Sequence, residues 1–179
     1  MKKFFVSFAA IFSIFLLTST EPHAEQKNAW HFPLEIKAGI SSTFGEFRGD
    51  RVHTGVDLRT NMQTGYKVYA IDDGTIVRLS VKKRGFGKAV YIKHPNGLMS
   101  MYGNLDRFEE KTLGLETLVQ QYQKRRRTKY PGDLYLEKPV RRGQLIGYSG
   151  ETGYGLPHLH FEVRQGGATP IDPFKHGFE

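Results

Sequence analysis

From residue 67 onward, short runs rich in β-branched and aromatic residues alternate with Gly, Asn and Asp punctuation: "KVYAIDDGTIVRLSV" (67–81), "GKAVYIKHPNGLMSMYG" (87–103), "GQLIGYSG" (143–150) and "LHFEVRQGG" (159–167). Runs this short cannot build the long helices of a bundle, but they can pair with one another across tight turns. The second run carries "HPNG" between alternating apolar stretches, which predicts a hairpin with its tip at residues 95–97. The chain therefore reads as a mostly β, antiparallel domain. One segment departs from the pattern. Leu115, Leu118, Val119 and Tyr122 recur at helical spacing, and the basic run 124–127 follows where a helix C-terminus favours positive charge. This predicts a short helix that ends before Pro131, plus loop, inserted between strands at about 107–138.

The first 24 residues have a different character. Two lysines precede an apolar run over 4–17, followed by small and polar residues, the layout of a cleaved secretory signal. The run is short for a bilayer span, so no stable membrane anchor is expected after cleavage. About 155 residues remain, a lead-in over 25–40 and one domain over 41–179. The chain contains no cysteine, which excludes disulfides and a lipid-modified cysteine. Its formal charge of +8 suits an exported protein, periplasmic or extracellular, that meets anionic polymers. No nucleic-acid recognition motif accompanies that charge, and the basic run reads as a solvated helix end.

Within "LPHLHFEV" (156–163), strand alternation puts His158 and His160 on one face and Leu159 and Phe161 on the other, toward a core. The stretch "FGEFRGDRVHTGVDLRT" (44–60) adds His53 and Asp57. With His160, these make two imidazoles and a carboxylate, a ligand set that suits Zn²⁺ with a fourth position open to water. A structural zinc site is usually closed by four protein ligands, so an open set points to catalysis. His158, beside His160, is placed to take a proton from a metal-bound water. The same ligand types serve non-haem iron oxygenases, but there the first two ligands stand one residue apart; here three residues separate His53 from Asp57.

"HTGVD" (53–57), "PNGLMSMYGNL" (95–105), "VRRGQLIGYSGETG" (140–153) and "PHLHFEV" (157–163) occur in an order that resembles the lysostaphin/LytM-type zinc metallopeptidases, metallopeptidase family 23. The likeness runs from about residue 41 to 173. It implies an antiparallel β fold of barrel-sandwich type (a duplicated hybrid motif) with a substrate groove. It also implies zinc on His53, Asp57 and His160, with His158 catalytic, and hydrolysis of peptide cross-links in bacterial peptidoglycan. One position departs from the pattern: Asn104 stands where the family usually has a second catalytic histidine. An amide can donate to a developing oxyanion but cannot carry a proton, so an enzyme of this kind is expected to be slowed, and Asn104→His should raise its activity, whereas in a binding or regulatory relative the histidine alone should rescue nothing. The alternative is a non-catalytic relative that binds peptidoglycan or regulates another cell-wall hydrolase through a protein partner. His31, His94 and His176 read as incidental surface histidines, and Tyr102 and Tyr154 as groove-lining or packing residues.

Overall fold

Ten strands hydrogen-bond into one antiparallel sheet in a computed structural model that describes residues 30–178. The segment read as a secretory signal, with His23, lies outside the described residues. The strands are β1 (Ile40–Ser42), β2 (Val56–Arg59), β3 (Lys67–Tyr69), β4 (Gly74–Val81), β5 (Lys88–Lys93), β6 (Leu98–Phe108), β7 (Gly132–Val140), β8 (Leu145–Ser149), β9 (His158–Gln165) and β10 (Thr169–Ile171). The main path runs β1-β2-β9-β6-β5-β4-β7, with β10 on β9 and the β3–β8 pair attached through β6. The hairpin expected at 95–97 is the β5–β6 turn, closed by Gly97 N–H donating to His94 O. No described helix is long and apolar enough to cross a membrane.

The predicted helix is α1 (Leu115–Arg126), which buries only Leu115 and Val119 and ends with Arg127 in the left-handed conformation. Lys124, Arg125 and Arg126 occupy its last turn, where they oppose the negative end of the helix dipole. The second half of the expected insertion is not loop. Residues Gly132–Val140 pair with β4 along its length as β7. The reason is legible in "DLYLEKP": Leu134 and Leu136 pack against the core, while Tyr135 and Glu137 alternate outward. Pro139 is tolerated because β7 is an edge strand. The lead-in is also more than a lead-in. Trp30, Phe32, Ile36 and Ala38 pack on the core, and Phe32 stacks on Phe178 at 5.6 Å.

Alternation assigns the two faces of the sheet. Leu159, Phe161 and Val163 of β9 enter the main core with Val56 and Leu58 of β2 and Tyr102 of β6. The opposite face carries the smaller cluster of Ala89, Tyr91 and Met101. Met101 pairs with Glu162, and Gly103 pairs with His160. The histidines of β9 thus stand on the face away from the main core.

The reading of His94 as a surface residue is corrected: it is buried, its Nδ1–H donating to Asp73 O at 2.8 Å while Nε2 lies 2.8 Å from Ser100 Oγ. Burial lowers its pKa, so the ring is neutral. Ser100 Oγ is in turn 3.0 Å from the hydroxyl of Tyr102, which accepts from Ile71 N–H at 2.9 Å. Tyr102 is therefore a packing residue and not a wall of the groove. Tyr102→Phe would leave the buried Ile71 N–H without an acceptor and should lower stability by about 1–3 kcal/mol. Urea unfolding followed by tryptophan fluorescence would measure it, and an unchanged midpoint would show that the chain of hydrogen bonds is dispensable.

Candidate metal centre

The register of β2 against β9 sets Asp57 opposite His160 and Arg59 opposite His158. Cross-strand partners on one face touch, so the carboxylate and the imidazole meet without help from any loop. His53 arrives from outside the sheet. Residues 43–53 form a tight turn in which Gly45 N–H donates to His53 O and His53 N–H to Glu46 O. Gly55 lets this turn lie against β9: a Cβ there would fall 2.2 Å from Phe161 O.

The three side chains converge. His160 Nδ1 lies 2.8 Å from Asp57 Oδ1, His53 Nε2 lies 3.1 Å from the same oxygen, and the two ring nitrogens are 3.0 Å apart. All three residues are buried, and together they could hold a metal ion. The outward nitrogen of each ring fixes its tautomer. His53 Nδ1 faces Thr43 O at 2.8 Å and must donate its hydrogen there, which leaves Nε2 as a lone pair. His160 Nε2 faces the Glu162 carboxylate at 2.9 Å, which leaves Nδ1 as a lone pair. Two lone pairs and an anionic oxygen therefore face one another, an arrangement that repels unless positive charge sits among them. A metal ion could supply that charge, as could a second proton on one of the rings. Burial alone would lower the pKa of His160, but its hydrogen bonds to Asp57 and Glu162 raise it. Burial likewise pushes Asp57 up, but the bonds to His160 and His53 and the Arg48 guanidinium hold its carboxyl well below the usual range. Asp57 is thus ionised.

Supporting residues surround the cluster. Glu162, with no solvent exposure, bonds to His160, to Thr54 Oγ1 and to Arg164 Nε at 2.5 Å. Burial raises its pKa, but these partners, His160 first, keep it low and ionised. Phe86 stacks on the His160 ring at 4.8 Å. Arg48 Nη2 donates to Asp57 Oδ2 and to Ser42 Oγ, each at 2.6 Å. Sequence reasoning missed all of these. Glu162 had a signal, since it lies two residues beyond His160 on the same strand face; Arg48 had none, because only the folded turn brings it to Asp57.

His158 stands beside the cluster. Its Nδ1–H donates to Leu156 O at 2.6 Å, so the lone pair is on Nε2, 3.6 Å from Asp57 Oδ1. Two cavities of about 700 and 420 Å³ flank the site and share Arg48, Tyr154 and His158 in their walls. Asn104 borders the smaller cavity, but its amide is turned into the protein, donating to Thr152 O at 2.7 Å and Tyr154 O at 3.3 Å. Both amide hydrogens are engaged. Asn104 has φ 59°, at the point where β6 leaves its pairing with β9 and takes up β8. It latches the loop that leads to His158 and offers no free donor to an oxyanion.

Residues 51–124 match Peptidase family M23. The chain is 30% identical over 155 residues to the DD-carboxypeptidase/endopeptidase Mpg of Neisseria meningitidis serogroup B, covering 83% of this chain and 29% of that protein. It is 28% identical over 149 residues to the murein hydrolase activator NlpD of Escherichia coli, covering 83% and 31%. A zinc containing peptidase from Vibrio cholerae superposes with a TM-score of 0.58 at 25% identity, over 80% of this chain and 39% of that one. The chain spans under a third of either curated relative.

Outer partners of metal-binding histidines tune affinity through ring orientation, typically by 10–100-fold. Glu162→Gln, which keeps the shape but removes the charge that holds His160, should weaken divalent-metal binding by about that factor. Competition against a chromophoric chelator would read it, and unaltered affinity would remove Glu162 from the site's support.

Proposed function

The chain belongs to peptidase family M23, and from that premise we propose that it is an exported zinc endopeptidase that cleaves peptide cross-links of bacterial peptidoglycan. One observation carries the reading: two imidazole lone pairs and an ionised carboxylate converge on a buried point while the Nε2 of His158 stands 3.6 Å from that carboxylate. Zinc held by His53 Nε2, Asp57 Oδ1 and His160 Nδ1 would acidify a water and polarise the carbonyl under attack.

The chain's own residues supply the rest. A peptide lying across the two cavities would meet Arg48, Tyr154 and His158, the residues common to both walls. Because Leu156 O fixes the Nδ1 proton, His158 Nε2 is available to take a proton from the attacking water and to return it to the departing amine. Burial of His53, Asp57 and His160 keeps bulk water from competing for the ligands.

A second reading, a regulator of another cell-wall hydrolase, is favoured by Asn104, whose amide serves the loop instead of a substrate. The name of NlpD, an activator, agrees with it. Retention of the full ligand set and of His158 weighs for the enzyme.

The two readings part in a simple experiment. Native protein purified without chelators should carry one zinc, and His160→Ala should empty the site. His158→Ala should keep the metal and lose hydrolysis of purified sacculi by about 10²–10⁴-fold. Equal metal loss in both variants would mean that the roles of the pair are misassigned, and intact zinc with no hydrolysis by native protein would favour the regulator. Asn104→His should not raise hydrolysis, since a histidine there loses the two carbonyl bonds that hold the loop; a rise of about 10²–10³ would instead show that the position lacks only its oxyanion donor.

A further inference from the structure

Resting on the hydrolase reading, we propose that Arg48 is a catalytic residue whose guanidinium donates to the peptide oxygen as negative charge develops on it. The need for such a donor is chemical. When the water oxygen adds to the carbonyl carbon, the C=O π pair moves onto the oxygen, and that charge is relieved only when the C–N bond breaks and the amine leaves with the proton carried by His158. Preorganised hydrogen bonds to that oxygen are usually a large part of catalysis in acyl transfer. Asn104 cannot provide one, since both its amide hydrogens are given to Thr152 O and Tyr154 O.

Arg48 has the required features. It is anchored: the two hydrogens of Nη2 go to Asp57 Oδ2 and Ser42 Oγ, each at 2.6 Å. Because Asp57 Oδ1 is the oxygen that meets the two histidines, the guanidinium sits one carboxylate width from the ligand cluster. It is also unsaturated. Nη1 and Nε carry three further hydrogens, and among the described residues no side chain or backbone oxygen takes them. The side chain is 33% exposed and forms part of the wall common to both cavities, opposite no competing acid in the smaller one.

Two other donors on these walls, Arg51 and Tyr154, fit less well. Arg51 borders only the smaller cavity, is 61% exposed and pairs with Asp50 at 3.2 Å, so it is neither fixed nor aimed. The Tyr154 ring is 54% exposed and follows Gly153, with Gly155 after it, both at positive φ. A planar guanidinium pinned at one nitrogen and free at two others is preorganised for an oxygen arriving between the metal site and the groove.

Arg48→Ala and Arg48→Lys would be compared with native protein on three readouts: zinc affinity by chelator competition, kinetics on a soluble cross-linked stem peptide, and affinity for a phosphinic analogue of that peptide. The phosphinic group carries anionic oxygens in tetrahedral geometry, so it reports the contact without turnover. The expected result is a loss of about 10²–10³ in kcat for Arg48→Ala with KM changed by less than about fivefold, and a comparable loss of phosphinic affinity. Arg48→Lys should recover part of both, and zinc affinity should fall by no more than the about 10–100-fold typical of losing an outer partner of a metal ligand, so the kinetics are read with zinc saturating. A kcat loss that simply tracks lost zinc would reduce Arg48 to a support for Asp57 and overturn the proposal, as would unchanged phosphinic affinity. If native protein loaded with zinc neither hydrolyses the peptide nor binds the phosphinic compound, the hydrolase reading itself falls, and the role of Arg48 falls with it. Native protein that binds the compound without hydrolysis, with that binding lost in Arg48→Ala, would sustain the anion contact in a site that has stopped turning over.

Discussion

The pairing of β2 with β9 governs the molecule. One register places Asp57 against His160 and Arg59 against His158, and the same register sends Val56, Leu58, Leu159 and Phe161 into the core. A slip of one residue would exchange the faces, burying the histidines among apolar side chains and exposing the core set. The apolar pattern that stabilises the fold is therefore also the device that assembles the site. Gly55 and Gly103 belong to the same constraint. A Cβ on Gly55 would meet Phe161 O at 2.2 Å, and one on Gly103 would crowd Phe86 at 3.3 Å, the ring that stacks on His160.

Buried charge is the second governing quantity. Asp57, His160 and Glu162 lie within one buried patch, and each would be expensive alone. They persist because each is bonded at both ends: Arg164 and Thr54 to Glu162, Glu162 to His160, His160 and His53 to Asp57, and Asp57 to Arg48. Removing one partner of such a buried pair typically costs about 3–5 kcal/mol, because the other is left uncompensated. The network ends at the surface on the Arg48 side, where the side chain is 33% exposed. Stability and function thus use the same residues for different reasons. Glu162 is held by the fold so that His160 presents one nitrogen, and Arg48 neutralises the second oxygen of Asp57.

Asn104 marks a third constraint. Along one edge β6 pairs with β9 up to Gly103 and with β8 from Leu105, and the residue between them is in the left-handed conformation. Asparagine adopts that conformation more readily than most residues, and its short amide reaches the Thr152 and Tyr154 carbonyls of the neighbouring loop. The loop in turn positions Tyr154 and leads to His158. A polar residue at a strand break beside a site serves architecture first.

Much of this was legible in residue order. Period-two alternation over 157–163, the turn at 95–97 and the helical spacing from Leu115 to Tyr122 each name their own element, because strand and helix periodicity are local properties of a chain. The residues that could hold a metal, His53, Asp57 and His160, and the neighbouring His158 were equally visible. The alternation of Leu134 and Leu136 with Tyr135 and Glu137 was present too, but it competed with a basic run and a proline that suggested loop. Tertiary structure alone decided the rest. It buried His94 under Asp73 and Ser100, turned the Asn104 amide away from the groove, and folded the turn over 43–53 so that Arg48 reached Asp57. Those outcomes depend on which acceptors lie within about 3 Å of a side chain once distant segments meet, and sequence spacing carries no such distance.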